Sequence, residues 1–206
     1  MNTRSKQLRT DGRRNEILTS ASQAIRRLGL RGAGMRQIAD AAGLSAGNLY
    51  YYFRNKQELV YFCQDQTLDA LHAVAREARE QPSAGTQLAL LIRGHLRVLL
   101  DTRTAGAVHL EFLGPGAQRG VGRDELPAEL YRKLVAKRDR YERAVRALIE
   151  DGQKHREVRP GDPKLQAFAL LGALNWAARW WRPSGAHTVD EVAGAFIDQL
   201  LGGLLQ

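Results

Sequence analysis

The chain has 206 residues, 44% of them hydrophobic and 26% charged, which is the balance of an ordinary globular protein with a sizeable core. It has no apolar run of about eighteen residues, so we predict no membrane span, and the basic N-terminus lacks the apolar segment of a secretory signal. The single cysteine, Cys63, excludes an internal disulfide and any metal site built from several cysteines. We therefore expect one large or two small domains in the cytoplasm.

The net charge of +9 is concentrated at one end of the chain. Residues 1–60 contain 11 Lys or Arg and 4 Asp or Glu, a net of +7, whereas the other 146 residues have 20 and 18, a net of +2. A local basic excess is the electrostatic footprint of nucleic-acid binding. A solvated basic face would explain the charge equally well by itself, so its meaning depends on the motif in the same segment.

Residues 1–11 are polar and basic without periodicity, and we expect a mobile tail that could lie along DNA phosphates. A first helix should begin near Gly12 and end at Gly29. Its apolar stripe consists of Ile17, Ala21, Ala24, Ile25 and Leu28. This stripe would form the packing surface for the helices that follow.

Two short helical patterns meet at Gly43 within residues 35–58. The first has small apolar side chains on one face, and a glycine is free to adopt the backbone conformation of a tight turn. Ser45 can cap the second helix, whose first turn, Ala46 and Gly47, is almost bare of side chain. Such a helix start can approach a DNA phosphate closely. The segment therefore has the pattern of a helix-turn-helix.

Three consecutive tyrosines, Tyr50, Tyr51 and Tyr52, continue the second helix. Their hydroxyls could bind phosphates and their rings could contact thymine methyls or sugars. The alternative is a buried helical hairpin with the tyrosines as core aromatics. Three consecutive residues of a helix cannot all face one core, so we favour the interpretation that they contact DNA.

The segment from Ile38 to Leu59 resembles the DNA-binding signature of the TetR family of transcriptional regulators. The matching residues are Ile38, Ala39, Ala42, Gly43, Leu44, Ser45, Gly47, Leu49, Tyr50, Tyr52, Phe53, Lys56 and Leu59. The resemblance implies an all-α fold of about nine helices, with an N-terminal three-helix helix-turn-helix domain over residues 1–57. A C-terminal helical domain over residues 58–206 would bind a ligand and dimerise through its last two helices.

The residues that we expect to bind DNA are Arg36, Ser45, Ala46, Gly47, Asn48, Tyr50, Tyr51, Tyr52 and Lys56. Lys56 should lie in the first turn of the helix after the motif, where a cation is unfavourable for the helix dipole, so a nearby anion is indicated. The family resemblance implies that this anion is a DNA phosphate.

The rest of the chain is predicted to be helical, without strands. The predicted helices cover residues 55–80, 86–101, 107–113, 128–153, 164–181 and a final segment after Thr188. Asn55 with Glu58, and Thr188 with Glu191, resemble capping boxes. Residues 113–127 contain four glycines and two prolines, but their spacing matches no phosphate-binding motif, so we predict a loop.

Arg138 lies on the apolar line of the 128–153 helix, where it either pairs with a carboxylate such as Glu111 or binds an acidic ligand. Trp176 and Trp180 share a helix face with Arg179 beside them. They either pack in the core or dimer interface, or form an apolar pocket wall with Arg179 or Arg138 near a phosphate or carboxylate of coenzyme A.

The segment NWAARWWRP ends the predicted 164–181 helix and is followed by a TxxE helix start. This pattern resembles the TetR subset that governs fatty-acid or sterol degradation and senses acyl-CoA thioesters. The resulting candidate effector-binding residues are Arg138, Tyr141, Trp176, Arg179 and Trp180. We expect a small-molecule effector, for which an acyl-CoA is the candidate class, and no tightly bound cofactor.

The histidines show no paired-ligand spacing, so we predict no metal site and no catalytic residues. They are His72, His95, His109, His155 and His187. His109 and Glu111 form the one neighbouring His/acid pair worth noting, which we interpret as structural. The function hypothesis is a homodimeric repressor that a lipophilic or acyl-CoA-like effector releases from operator DNA. The alternative is a ligand-independent architectural DNA-binding protein, and an enzyme is the less supported third class.

Overall fold

The computed structural model describes residues 3–100 and 126–205, which form eight α-helices and no strand. The helices are α1 (Thr3–Gly32), α2 (Met35–Ala41), α3 (Ala46–Tyr52), α4 (Lys56–Arg79), α5 (Ala84–Leu100), α6 (Ala128–Lys154), α7 (Pro163–Trp180) and α8 (Val189–Leu204). The all-α prediction is confirmed. The predicted helix over 107–113, most of the predicted loop and the His109–Glu111 pair lie outside the described residues. No helix of the described part is long and apolar enough to cross a membrane.

The first helix is longer than the sequence predicted. It begins at Thr3 instead of near Gly12 and ends at Gly32, so the predicted tail is helical from its third residue onward. Apolar periodicity detects only helical turns with an apolar stripe, whereas Arg, Lys, Gln and Leu have good helix propensity and can extend a helix without one. The predicted stripe is buried except for Leu28, which is 40% exposed.

The helices α1, α2 and α3 surround a small core that the start of α4 completes. The side chains of Ile17, Ile38, Leu49, Phe53 and Leu59 are all 1% exposed or less. Ser22 on α1 donates its hydroxyl to the sulfur of Cys63 on α4, 3.8 Å away. Burial raises the pKa of the Cys63 thiol to about 12, which keeps it protonated and unreactive at neutral pH.

The helices α4 to α8 form a second layer of packing in which α5 is central, in contact with α4, α6, α7 and α8. The helices α4 and α5 approach closely at Gly94, because a Cβ there would lie only 2.4 Å from Cγ1 of Val74. After α8 the chain returns to the α6–α7 connection, where the Arg159 N–H donates to the Leu204 carbonyl at 2.9 Å.

Side-chain caps fix the starts of α4, α7 and α8. Thr188 and Glu191 form the complete predicted capping box of α8, and the Asp162 carboxylate accepts from the first N–H groups of α7. Asn55 accepts from the Glu58 N–H at 2.8 Å, as predicted. The Glu58 carboxylate accepts from the Arg54 N–H at 2.6 Å and not from the Asn55 N–H, so the predicted box at α4 is only half formed.

Candidate functional site

The turn between α2 and α3 is built around Gly43, whose φ is +64°. The Gly43 N–H donates to the Asp40 carbonyl at 3.2 Å, and the Leu44 N–H donates to the Ala39 carbonyl at 2.9 Å. These two bonds are those of a Schellman motif, in which the left-handed residue is usually glycine because a Cβ is unfavourable there. The half-buried Leu44 packs against the core and directs the chain into α3.

Two apolar anchors hold α3 to the core. Leu49 and Phe53 are both fully buried, and the hydroxyl of Ser45 accepts from the Asn48 N–H at 3.2 Å to cap the helix. The remaining surface of α3 faces outward. The exposed residues are Ser45, Ala46, Gly47, Asn48, Tyr50 and Tyr51.

The tyrosines divide between solvent and core. Tyr50 is 51% exposed and Tyr51 is 79% exposed, whereas Tyr52 is half-buried and packs against the core. The rings of Tyr51 and Tyr52 meet edge to face with their centroids 5.2 Å apart. The buried-hairpin alternative requires all three rings in the core, and the structure does not place them there.

Arg36 is exposed in the first turn of α2, and Lys56 is the half-buried first residue of α4. Both therefore lie in the first turn of their helices, on either side of α3 in the sequence. The structure brings all nine predicted DNA-binding residues to the helix-turn-helix and the adjoining start of α4.

Arg14 on α1 contacts the end of α3 and the second turn of α4. From the sequence, Arg14 counted only among the basic residues of the N-terminal segment. Its Nη2–H donates to the carbonyl of Tyr52, 3.3 Å away, at the end of α3. Its guanidinium carbon lies 5.2 Å from the ring centre of Phe53 and 4.4 Å from that of Phe62. One side chain therefore joins α1, the end of α3 and α4.

A buried polar cluster joins three helices of the C-terminal part. His95 on α5 lies 2.8 Å by its Nδ1 from the Tyr141 hydroxyl of α6 and 3.2 Å by its Nε2 from the Asn175 carbonyl oxygen of α7. Because a carbonyl oxygen only accepts, Nε2 carries the ring proton and Nδ1 accepts from the tyrosine hydroxyl. Burial lowers the pKa of His95 to about 4 and raises that of Tyr141, so both are neutral near pH 7.

The five predicted effector-binding residues lie in two places. Tyr141 is buried in the polar cluster, and Arg138, one turn earlier on α6, bonds to the Asp139 carboxylate at 3.0 Å. Trp176 and Trp180 are 62% and 44% exposed on α7, with the Arg179 guanidinium 5.7 Å from the Trp176 ring centre. Tyr141 is linked through His95 to Asn175, the residue before Trp176, and the predicted Arg138 partner Glu111 lies outside the described residues.

Over residues 3–100 and 126–205, no group of three or more His, Cys, Asp or Glu side chains is placed to hold a metal ion.

Two family models match successive segments of the chain. Residues 17–61 match the family described as bacterial regulatory proteins, tetR family, and residues 81–204 match the tetracyclin repressor-like C-terminal domain. The chain belongs to the TetR family. It is therefore a DNA-binding transcriptional regulator, with α2 and α3 as its helix-turn-helix.

Similar proteins of the family are found over almost the whole length. The HTH-type transcriptional repressor KstR2 of Rhodococcus jostii (strain RHA1) is 31% identical over 198 residues, covering 94% of this chain and 91% of KstR2. The structure of the ketosteroid transcriptional regulator KstR2 of Mycobacterium tuberculosis has a TM-score of 0.78 and 25% identity, covering 94% of this chain and 95% of that one. AibR, in complex with isovaleryl coenzyme A and operator DNA, shares the fold with a TM-score of 0.74 at 21% identity, covering 92% of this chain and 98% of AibR.

Proposed function

We propose that this TetR-family regulator is a repressor that inserts α3 into the major groove of its operator. The observation that carries the proposal is the division of α3 into a buried side, Leu49 and Phe53, and an outward side of small and polar residues. Small side chains let the helix backbone approach the base edges, where an amide such as Asn48 can hydrogen-bond.

Within this docking the predicted residues have two roles. Ala46, Gly47 and Asn48 approach base edges, and Ser45 fixes the start of the helix through its bond to the Asn48 N–H. The remaining predicted residues contact phosphates and set the register on the duplex. They are Arg36, Tyr50, Tyr51, Tyr52 and Lys56. Residues 1–57 would form the DNA-binding domain, acting in the cytoplasm where the operator lies.

The proposed dimer interface is the outward face of α7 together with α8. Four large apolar side chains of α7 are exposed on it: Leu165 at 64%, Phe168 at 45%, Trp176 at 62% and Trp180 at 44%. The Trp180 ring stacks on Phe196 of α8 with a centroid separation of 6.5 Å, so the apolar surface continues across both helices. A two-fold pairing of this face would cover it and would set two copies of α3 to read two half-sites.

The proposed effector is a lipophilic acid carried as its coenzyme A thioester. Three observations support an acyl-CoA effector: the NWAARWWRP segment at the end of α7, the relationship to repressors named KstR2, and the shared fold with AibR in its complex with isovaleryl coenzyme A. The candidate residues inside the bundle are Arg138 and Tyr141. Trp176, Arg179 and Trp180 on α7 are the alternative candidates, which would contact the effector only where the dimer interface leaves them uncovered.

The helix α4 connects effector binding to DNA binding in this proposal. It begins at the DNA-binding unit and is tied to α6 by Lys137, whose ammonium group binds Asp65 at 2.6 Å and Asp69 at 2.8 Å. An effector that binds better to a state with shifted α4 would change the separation of the two recognition helices.

Fluorescence anisotropy tests the proposal with a duplex from upstream of the protein's own coding region, a scrambled duplex, and a long-chain acyl-CoA added last. We expect preferential binding to the first duplex and release by acyl-CoA. Preferential binding that acyl-CoA leaves unchanged would contradict the effector class alone. Equal binding to both duplexes would contradict the operator proposal and favour the architectural alternative.

A further inference from the structure

We propose that Arg14 is the positioning residue that sets the orientation of α3 relative to α4, and thereby the sequence specificity of the protein. The proposal rests on the docking of α3 in the major groove described above. Arg14 itself is not among the residues expected to contact DNA, because its guanidinium is turned toward α3 and α4.

The guanidinium of Arg14 makes one hydrogen bond and two contacts with aromatic rings. Its Nη2–H donates to the Tyr52 carbonyl at 3.3 Å, one of the last carbonyls of α3, which have no partner within their own helix. A cation at this end also matches the partial negative charge of a helix C-terminus. The guanidinium carbon lies over the rings of Phe53 and Phe62, at distances typical of cation–π contacts.

The two rings belong to different helices, so Arg14 contacts both the end of α3 and α4. Phe53 is the C-terminal cap of α3, and Phe62 lies in the second turn of α4, with a centroid separation of 6.0 Å. A displacement of α4 moves the Phe62 ring and, through Arg14, the end of α3. A helix of seven residues is not stable in isolation, so α3 depends on its tertiary contacts. Leu49 and Phe53 supply the buried contacts, and Arg14 adds a polar contact at the C-terminal end of the helix.

Arg14→Met tests the link because methionine keeps an apolar side chain but removes the charge and the donors. We expect the ratio of operator affinity to scrambled-duplex affinity to fall about tenfold, in line with the loss of a charge-assisted hydrogen bond. Affinity for the scrambled duplex and the slope of log affinity against log salt should stay unchanged, because no phosphate contact is removed.

The adjacent Arg13 provides a matched control. It lies on the same helix and pairs with Glu16, so Arg13→Met removes the same charge without touching α3 or α4. We expect Arg13→Met to leave the specificity ratio within about twofold of the wild type, since surface ion pairs contribute little. Thermal unfolding of each variant establishes that it is folded. If Arg14→Met does not fold, Arg14→Lys gives the same test. We expect its specificity ratio to fall about threefold, because lysine lacks the planar guanidinium group.

A double-mutant cycle with Phe62→Leu tests the link to α4. We expect the losses of specificity in Arg14→Met and Phe62→Leu to be non-additive, since both remove the same contact. Additive losses, an unchanged specificity ratio, or an equal loss on both duplexes with a smaller salt slope would each overturn the proposal. A wild-type protein without preference for its operator would instead refute the proposed function, so the two failures are distinguishable.

Discussion

At the residue scale, the buried His95 of α5 makes the stability of the folded protein depend on pH. The pKa of His95 is about 4 in the folded chain, against 6.5 for a solvent-exposed histidine, because burial disfavours the charged ring. Its folded pKa is lowered, so the unfolded state binds the proton more readily. The stability from the neutral ring is therefore present above pH 6.5 and is lost as the pH falls toward 4.

We predict that His95 alone makes the free energy of unfolding about 2 kcal/mol lower at pH 5.0 than at pH 7.5. Urea unfolding at the two pH values and one protein concentration measures it. The variant His95→Gln should lose about 2 kcal/mol less than the wild type over the same interval. His155→Gln is the control, because His155 is exposed. Equal pH dependence of wild type and His95→Gln would contradict a buried neutral His95.

At the element scale, the close approach of α4 and α5 depends on the missing side chain of Gly94. A Cβ there would lie 2.4 Å from Cγ1 and 2.9 Å from Cγ2 of Val74, so one helix would have to move. We predict that Gly94→Ala lowers the free energy of unfolding by about 1–3 kcal/mol, the usual cost of overpacking. Chemical denaturation measures the change.

Two further variants make the test of the helix contact specific. Val74→Ala, added to Gly94→Ala, should recover part of the loss, because it removes the methyl groups that the new Cβ meets. Gly12→Ala on α1 has nothing within 4 Å and should be neutral or stabilising by up to about 1 kcal/mol through helix propensity. A Gly94→Ala protein as stable as Gly12→Ala would show that α4 and α5 are not in close contact.

At the scale of the whole molecule, the proposed dimer interface on the exposed apolar face of α7 can be tested directly. We predict that Phe168→Asp gives a monomer with at least about tenfold weaker operator binding, because a carboxylate would be buried without a partner in the interface. Analytical ultracentrifugation gives the mass and anisotropy gives the affinity. Ala73→Asp, at an exposed position of α4, adds the same charge and should remain dimeric. A dimeric Phe168→Asp protein would place the interface elsewhere.

The helix-turn-helix and the later helix starts could be predicted from the sequence because the interactions that define them are local. The turn at Gly43 uses bonds between residues at most five positions apart, and the Thr188–Glu191 box spans three. The nine predicted DNA-binding residues all come from one continuous segment, so a single motif was enough to group them. The start of α1 was missed because the sequence of its first turns has no apolar period.

The sequence by itself therefore determined the all-α fold class, the helix-turn-helix and the family. Only the tertiary structure decided which polar side chains meet inside the molecule. Arg14 reaches a carbonyl 38 positions away, Lys137 a carboxylate 72 positions away, and His95 partners 46 and 80 positions away. Contacts over such separations depend on how whole helices pack, and residue spacing along the chain does not record that packing.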